Sequence, residues 1–378
     1  MIKRIISRVK RSQAIGGRVS RRATIKDIAA EAQTSTTSVS LTLNNRPNRL
    51  SAETKARILD IARRLHYVPN QSARSLVSNR SMLLGLIVPD IQNVYFANLA
   101  KHLSDVCNAH GYILVIANSN DSAISERQLL KEFRSRGLDG VMIVPSLESF
   151  DAPTDFRSNV EQLDIPVIIL DRISALPWCD GVGFDNYRGG ELAAQCLLDH
   201  GHHHVGVIAA QSTYMKNDGR ITGFLDRMSQ AGFEVPEAFI TEGKFRYQGG
   251  FEAVSGLLDH HVTAVFCGND LTALGALSNL RAQGLRVPQD ISLIGYDNDT
   301  AFGAMGVELT TIDQDLERLS AVAIDTLTAR LKLLAKATKQ VGADTGKPWF
   351  TGPQRTVLTP KLVERATVAW AGSSMPKA

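Results

Sequence analysis

One stretch near the N-terminus decides the fold of the first domain, and it reads Thr24-Ile-Lys-Asp-Ile-Ala-Ala-Glu-Ala-Gln-Thr-Ser-Thr-Thr-Ser-Val-Ser-Leu-Thr-Leu-Asn-Asn45. Thr24 can cap a first short helix, because Asp27 three residues later can reach back as in a capping box. Ser35 can cap a second helix by accepting a bond from an early backbone N–H. The pattern predicts two short helices joined by a tight turn near residues 33–34.

The second of these helices has an unusual outward face. Val39 and Leu43 are four residues apart and point back onto Ile28 and Ala32 of the first helix. The residues left facing outward are Thr36, Thr37, Ser40 and Leu41. Their short side chains let a helix lie deep in the major groove of DNA, which just admits one. An ordinary helical hairpin is the alternative, but a Ser- and Thr-rich face flanked by arginine favours DNA contact.

A third helix follows, with Ser51 as its predicted cap and an end before Pro69, because the residue before a proline avoids the helical region. Its predicted apolar stripe consists of Ile58, Leu59, Ile61, Ala62 and Leu65. Beyond it the chain reads Asn70-Gln-Ser-Ala-Arg-Ser-Leu-Val77. The motifs at residues 24–29, 35–40, 65–70 and 73–76 together resemble those of the LacI (lactose-repressor) family of transcription regulators. The resemblance extends from residue 24 to about residue 366.

This resemblance implies a helix-turn-helix head at residues 23–68, followed by a hinge helix and linker at residues 69–80. It places Thr36, Thr37 and Leu41 at the base-facing positions of the family. The DNA-contacting residues that we expect are Thr24, Ser35, Thr36, Thr37, Ser40, Leu41, Asn45, Arg46, Ala73, Arg74 and Leu76. We also expect two hinge helices to pair over the minor groove, where Leu76 wedges between base pairs and kinks the DNA.

Charge is distributed unevenly along the chain. Residues 1–80 hold 17 Lys and Arg against 4 Asp and Glu, a net charge of +13. The remaining residues hold 25 basic and 34 acidic side chains, a net charge of −9. A basic head on an acidic body is typical of a nucleic-acid-binding protein. We therefore expect double-stranded DNA to be the partner of the head.

Other features of the composition indicate where the protein acts. The four cysteines fit no zinc or redox spacing, which is consistent with a reducing cytoplasm. The apolar runs are too short to span a bilayer, and the basic residues near the start precede no apolar signal core. We expect a cytoplasmic protein without membrane contact, and we interpret residues 1–22 as a disordered basic extension.

From residue 81 onward the pattern alternates between strands and helices, which predicts parallel doubly wound sheets. The predicted strands are residues 82–89, 113–117, 140–145, 166–170, 205–210, 264–267, 291–295 and 354–364. The predicted helices are residues 95–110, 125–136, 188–199, 219–230, 249–259, 271–283 and 316–335. These strands are too many for one ordinary sheet, so we expect two lobes.

The family resemblance implies the same division, a periplasmic-binding-protein-like body at residues 81–378 with a ligand cleft between its lobes. We assign residues 81–184 and 312–335 to lobe 1, and residues 185–309 and 354–366 to lobe 2. The predicted fold is thus an all-α helix-turn-helix head joined to an α/β body of two parallel-sheet lobes.

Ligands of open α/β sheets bind beyond the carboxyl ends of the strands, so the residues that follow each strand are the candidates. Those residues, together with the late crossing, supply Asn93, Tyr95, Phe96, Asp171, Arg172, Arg220, Phe245, Asn269, Asp297 and Gln314. Carboxylates, guanidinium groups and amides among aromatic faces suit a sugar, because fixed donors and acceptors can read its hydroxyls. By resemblance, this set is similar to that of pentose-binding members of the superfold.

A purine or nucleoside effector is the alternative. The purine-binding members share the positions of Tyr95, Phe96, Arg220 and Asp297, and they carry polar or basic residues where Tyr214 and Lys216 stand here. Each residue also has a structural interpretation, with Asp297 as a strand-end cap and Phe245 as core. Sequence alone leaves the choice between sugar and purine open.

Two other functions fit the sequence less well than a regulator does. A sugar-binding enzyme on a Rossmann-like sheet is disfavoured, because the first strand leads into Pro89-Asp-Ile-Gln-Asn93 and not into a glycine-rich fingerprint. A transport receptor is disfavoured by the basic head. The run Gly201-His-His-His204 indicates a polar loop more than a metal site. We expect a repressor without catalytic activity, metal or cofactor.

The head and the body together lead to a model of regulation. One helix-turn-helix contacts only a few base pairs, so we expect a homodimer on a near-palindromic operator. The predicted interface includes the helix at residues 95–110. We expect a small sugar-like effector to close the cleft, separate the hinge helices and relieve repression.

Overall fold

The computed structural model describes residues 23–68, 80–174, 176–210, 219–304, 306–337 and 352–372. The chain divides into two compact units, one ending at Asn79 and one beginning at Arg80. The predicted extension at residues 1–22 and the predicted hinge at residues 69–79 lie outside the described residues.

The head is a bundle of three helices, as predicted. They are α1 (Ile25–Glu31), α2 (Thr36–Leu43) and α3 (Ala52–Arg64). The turn between α1 and α2 is made by Gln33, whose φ of 51° lies in the left-handed region. The head core consists of Ile28, Ala29, Ala32, Val39, Ile58, Ile61 and Ala62. Leu59 was predicted to join the apolar stripe, but its side chain is 43% exposed.

The first lobe of the body is built on a six-stranded parallel sheet. Its strands are β1 (Leu83–Val88), β2 (Ile113–Asn118), β3 (Gly140–Ile143), β4 (Val167–Asp171), β5 (Asp180–Phe184) and β11 (Arg355–Leu358), in the order β11-β5-β4-β3-β1-β2. The helices that cover it are α4 (Val94–Ala109), α5 (Ala123–Ser135), α6 (Pro153–Glu161) and α12 (Leu316–Ala337).

Strand β1 shows why the sequence of a central strand in this sheet is a continuous apolar run. Leu84, Leu86 and Val88 belong to the core cluster that also contains α4 and α12 residues. Ile87 belongs to the cluster on the opposite face, which contains α5 and α6 residues. Because helices cover both faces, a central parallel strand needs apolar side chains in both directions.

The second lobe is built on a four-stranded parallel sheet. Its strands are β6 (Val205–Ala209), β7 (Ile240–Glu242), β8 (Ala264–Cys267) and β9 (Ser292–Ile294), in the order β7-β6-β8-β9. Its helices are α7 (Asn186–Asp199), α8 (Arg220–Gln230), α9 (Tyr247–Leu258), α10 (Asp270–Ala282) and α11 (Thr300–Ala304). The α/β body with parallel sheets confirms the predicted fold class.

The late part of the chain corrects the predicted lobe boundaries. A single strand at residues 354–364 was predicted in lobe 2. Instead, β11 pairs in parallel with β5 in the sheet of lobe 1. A separate strand, β12 (Lys361–Val363), pairs antiparallel with β10 (Thr311–Asp313). The chain therefore leaves lobe 1 between residues 358 and 361, inside the segment that was predicted to be one strand.

Candidate functional site

The predicted base-reading residues lie on α2 of the head. Thr36 and Thr37 are exposed, and Ser40 and Leu41 are half-buried. The first turn of α2 contains no acidic residue. The first turn of α2 therefore carries no negative charge that would repel a DNA phosphate.

The other predicted DNA residues in the described head lie at helix ends. Thr24 caps α1 in a capping box with Asp27, and Ser35 accepts a bond from the backbone N–H of Ser38 at 3.0 Å. Asn45 has a φ of 50°, and Arg46 is exposed beside it. Ala73, Arg74 and Leu76 lie outside the described residues, so their proposed hinge contacts stay a prediction.

A pocket in the body brings together nine of the ten predicted effector residues. Its lining consists of Asn93, Tyr95, Phe96, Asp171, Arg172, Arg220, Phe245, Asn269 and Asp297. Five of these residues belong to lobe 1 and four to lobe 2. The empty volume is about 330 Å³, including space open to solvent.

The lobe 1 wall of the pocket begins at the start of α4. The Asn93 side chain caps this helix by accepting a bond from the backbone N–H of Tyr95 at 3.1 Å. The Tyr95 hydroxyl donates to Asp171 Oδ1 at 3.1 Å, and its ring packs edge-on against Phe96 with centroids 5.2 Å apart. The rest of this wall stands at the end of β4, where Asp171 has a φ of 60°.

Arg172 is held by lobe 1 residues from behind the pocket. Its Nη1 donates to the backbone oxygen of Pro145 at 2.7 Å and to Asp121 Oδ1 at 3.2 Å. The guanidinium also lies 5.8 Å from the centroid of Phe96. Sequence reasoning missed Asp121, although it closely follows β2 and the strand-end rule could have found it.

The lobe 2 wall is organised around Arg220 at the start of α8. Its Nη1 donates to the backbone oxygen of Gly268 at 2.5 Å and lies 3.9 Å from Asp297 Oδ1. Its guanidinium stands over the rings of Tyr296 at 4.2 Å and Phe245 at 5.0 Å. One hydrogen bond, one ion pair and two aromatic faces therefore hold this cation in one orientation.

Glycine allows α8 to come close enough for this arrangement. A Cβ on Gly190 of α7 would collide with the backbone oxygen of Arg220. In the same contact, a Cβ on Gly223 of α8 would collide with the backbone oxygen of Tyr187. The two helices approach closely at these glycines, so the backbone of Arg220 packs directly against α7.

Phe245 and Asn269 complete the lobe 2 wall. Phe245 has a φ of 56°, a backbone conformation that is costly for a bulky residue. The Asn269 side chain caps α10 by accepting from the backbone N–H of Thr272 at 2.9 Å, and it donates to the backbone oxygen of Phe245 at 3.3 Å. The cap of one helix thus supports the strained residue that presents an aromatic ring to the pocket.

Asp297 is a buried, electrostatically perturbed carboxyl on the lobe 2 side. Burial raises the pKa of this carboxyl well above its usual range, and Arg220 acts in the opposite direction. Behind it lies Asp270, whose pKa is raised to about 7, mainly by burial. Perturbed carboxyls in a cleft are typical of functional sites, because burial sharpens their interaction with a partner.

Gln314 is the one predicted effector residue that does not line the pocket. It is buried, and its Nε2 donates to Asn186 Oδ1 at 3.2 Å. The Tyr296 hydroxyl donates to the same Asn186 oxygen at 2.9 Å. Gln314 Oε1 has no hydrogen-bond partner among the described residues. The prediction placed Gln314 in the pocket wall, whereas the structure places it where β10 leads into α12.

The histidine run at residues 201–204 lies in lobe 2, directly before strand β6. The ring nitrogens of His202 lie 2.9 Å from Thr263 Oγ1 and 2.8 Å from the backbone oxygen of Ala369. His203 stacks on Phe233 with centroids 3.8 Å apart. Across the described ranges, no group of three His, Cys, Asp or Glu residues is arranged to hold a metal ion. In the same ranges, no helix combines the length and the apolar character needed to cross a membrane.

Comparison with protein families identifies both units. Residues 24–70 match the family described as bacterial regulatory proteins of the lacI family. Residues 81–331 match the family described as periplasmic binding proteins and sugar binding domain of the LacI family. The two matches follow one another in the order of head and body.

Curated relatives match along almost their whole length. The chain is 33% identical over 351 residues to the HTH-type transcriptional repressor PurR of Edwardsiella ictaluri, which covers 92% of this chain and 97% of that protein. It is 34% identical over 352 residues, with the same coverage, to the PurR of Yersinia pestis.

Solved structures show the same architecture. The lac repressor dimer bound to operator and an anti-inducer superposes with a TM-score of 0.78 at 22% identity, over 92% of this chain and 100% of that one. A LacI family regulator from Enterococcus faecium with bound ribose superposes with a TM-score of 0.63 at 27% identity, over 76% and 99%. Together with the family matches and full-length relatives, this shows that the chain belongs to the LacI family and is a DNA-binding transcriptional repressor controlled by a small-molecule effector, not an enzyme.

Proposed function

We propose that the effector is a monosaccharide of pentose size, with D-ribose as the first candidate. The observation that carries the proposal is the convergence of two carboxylates and two guanidinium groups in one pocket between Phe96 and Phe245. A sugar hydroxyl both donates and accepts hydrogen bonds, so it needs carboxylate and guanidinium partners together. The apolar face of a sugar ring can pack against the aromatic side chains.

A purine effector is the second candidate, and the names of the full-length relatives favour it. The polar lining favours the sugar, because two aspartate carboxyl groups and two guanidinium groups can pair with several hydroxyls of one small polyol. The bound ribose in the related Enterococcus faecium regulator also supports a pentose.

Calorimetric titration of the full chain tests this choice. The titrants are D-ribose, D-xylose, L-arabinose, D-glucose, hypoxanthine and guanine. We expect saturable binding of a pentose, and loss of that binding in Asp297→Ala, because this carboxylate faces the ligand directly. Asp226→Ala is the matched control, since Asp226 only accepts a bond from exposed Tyr187 on the surface of lobe 2. Binding of a purine without any pentose binding would refute the proposal.

The direction of the response is also proposed. Asp90 of lobe 1 and Arg246 of lobe 2 form an ion pair of 2.6 Å across the cleft. A ligand that contacts both walls adds further bonds between the lobes and favours the same closed arrangement. We propose that closure weakens operator binding and relieves repression. Operator titration with and without D-ribose checks the sign, and tighter operator binding with the sugar would reverse it.

We further propose that the repressor is a homodimer on a near-palindromic operator. Strand β2 is an edge strand of the lobe 1 sheet, and its Ile113 and Ile116 are 63% and 46% exposed. Apolar side chains on an exposed sheet edge mark an interaction surface. This edge lies beside α4, the helix that sequence analysis assigned to the interface. Two heads held in this way would read two half-sites.

A further inference from the structure

The contact between Tyr95 and Asp171 bears on which sugars the pocket accepts. Asp171 is 7% exposed, and its carboxylate lines the pocket. Its Oδ1 already accepts the Tyr95 hydroxyl at 3.1 Å, from a residue of the same pocket wall. In a site built for a polyol, this is the kind of bond that a ligand hydroxyl would otherwise make.

The tyrosine is held firmly in this position. Its backbone N–H is bonded to the Asn93 cap, and its ring packs edge-on against Phe96 with an interplanar angle of 77°. Tyr95 itself is 5% exposed. The phenol therefore has little freedom to turn away from Asp171 when a ligand enters.

The environment of this phenol favours its protonated form. Burial, and then the charge of Asp171, raise the pKa of Tyr95 well above its ordinary value. The hydroxyl consequently stays protonated and donates at every physiological pH. Asp171 Oδ1 therefore has a donor supplied by the pocket wall itself.

We propose that Tyr95 determines which sugars bind, because its hydroxyl donates to Asp171 the hydrogen bond that a ligand hydroxyl would otherwise donate. The pocket therefore accepts a pentose that lacks the hydroxyl facing Asp171. The inference rests on the proposed pentose function. A polar site rejects an analogue that lacks a hydroxyl because its own buried groups are then left unpaired. Tyr95 removes that penalty at Asp171, because its hydroxyl already donates to Asp171 Oδ1.

The test compares D-ribose with its 2-deoxy, 3-deoxy and 5-deoxy derivatives by calorimetry on the full chain. In the wild type, we expect one of the three derivatives to bind within about tenfold of D-ribose, and the other two to lose considerably more. In Tyr95→Phe, Asp171 loses its internal donor. The same derivative should then lose at least about tenfold more affinity relative to D-ribose than in the wild type.

Tyr187→Phe is the matched control. Tyr187 also donates to an aspartate, Asp226 Oδ2 at 2.8 Å, but this pair lies at the surface of lobe 2 outside the pocket. The control should leave all three deoxy ratios unchanged. If Tyr95→Phe does not fold, the wild-type series still decides, because uniform rejection of all three derivatives overturns the inference.

The possible failures are distinguishable. Absence of D-ribose binding by the wild type, with binding of a purine, overturns both the proposed function and the role of Tyr95. Binding of D-ribose with the same deoxy ratios in the wild type and Tyr95→Phe overturns the role of Tyr95 alone.

Discussion

Asp270 makes the stability of the body depend on pH in a direction that the structure determines. This residue begins α10 and is 2% exposed. Its carboxylate accepts bonds from Thr311 Oγ1 at 2.6 Å and from the backbone N–H of Asp299 at 2.7 Å. These two bonds favour the charged form, but burial outweighs them and raises the pKa to about 7.

The sign follows from comparing the folded and unfolded states. An aspartate with a folded pKa of about 7, against an ordinary 3.8, binds its proton more tightly in the folded protein. Its contribution is fully present below the unfolded pKa and is lost as pH rises through the folded pKa. Over that window the free energy of unfolding falls by roughly 4 kcal/mol, and more than half of this loss occurs between pH 5 and 8. Burial also raises the pKa of Asp297 and Asp299, so their effects have the same sign.

The assay is urea unfolding of the full chain at pH 5 and pH 8, followed by tryptophan fluorescence. Asp270→Asn should make the pH dependence of the free energy of unfolding weaker, because an amide cannot ionise and can still accept from the backbone N–H of Asp299. Asp226→Asn, at an exposed surface position, should leave the slope as in the wild type. Parallel curves for the wild type and Asp270→Asn between pH 5 and 8 would show that Asp270 does not titrate in this range.

Three further predictions concern DNA reading, stability and assembly. Thr37→Ala should weaken binding to the preferred operator by about 1–3 kcal/mol and alter base preference, whereas Arg46→Ala should weaken binding to all DNA sequences alike. Fluorescence-anisotropy titrations measure both effects, and equal losses on specific and random DNA for Thr37→Ala would refute its assignment. Asp180→Asn should lower the free energy of unfolding by about 3–5 kcal/mol, because it removes the negative charge that faces a buried guanidinium. Arg330 is 1% exposed and is bonded to Asp180 at 2.7 Å. A loss below 1 kcal/mol in urea unfolding would contradict this. Ile116→Glu should yield a monomer in sedimentation at micromolar concentration, and an unchanged dimer would move the interface away from β2.

Elements with strong local patterns could be predicted from the sequence. The capping residues Thr24, Ser35 and Ser51 all cap their helices in the structure. The long helix at the end of the body begins at Leu316 as predicted. These features depend on residues three or four positions apart, so the information they need is contained in a short segment.

Elements whose strand character comes from distant partners were missed. Strand β5 reads Asp180-Gly-Val-Gly-Phe184, in which two glycines obscure any strand pattern. It is a strand because β4 and β11 pair with it on either side, and β11 lies more than 170 residues later. The late segment was assigned to lobe 2 for the same reason, since no local signal tells which sheet a short strand joins.

The residue types of the pocket could be predicted from the sequence, because the residues that follow parallel strands meet at one edge of the sheet. The resemblance to the family indicated the same positions. Only the tertiary structure decided which of these groups form hydrogen bonds with each other. Tyr95 donates to Asp171, Arg172 donates to Asp121, and Gln314 donates to Asn186 and does not line the pocket. The physical reason is that burial and hydrogen-bond partners depend on atoms brought together from 51 to 128 residues apart, and local sequence carries no record of those distances.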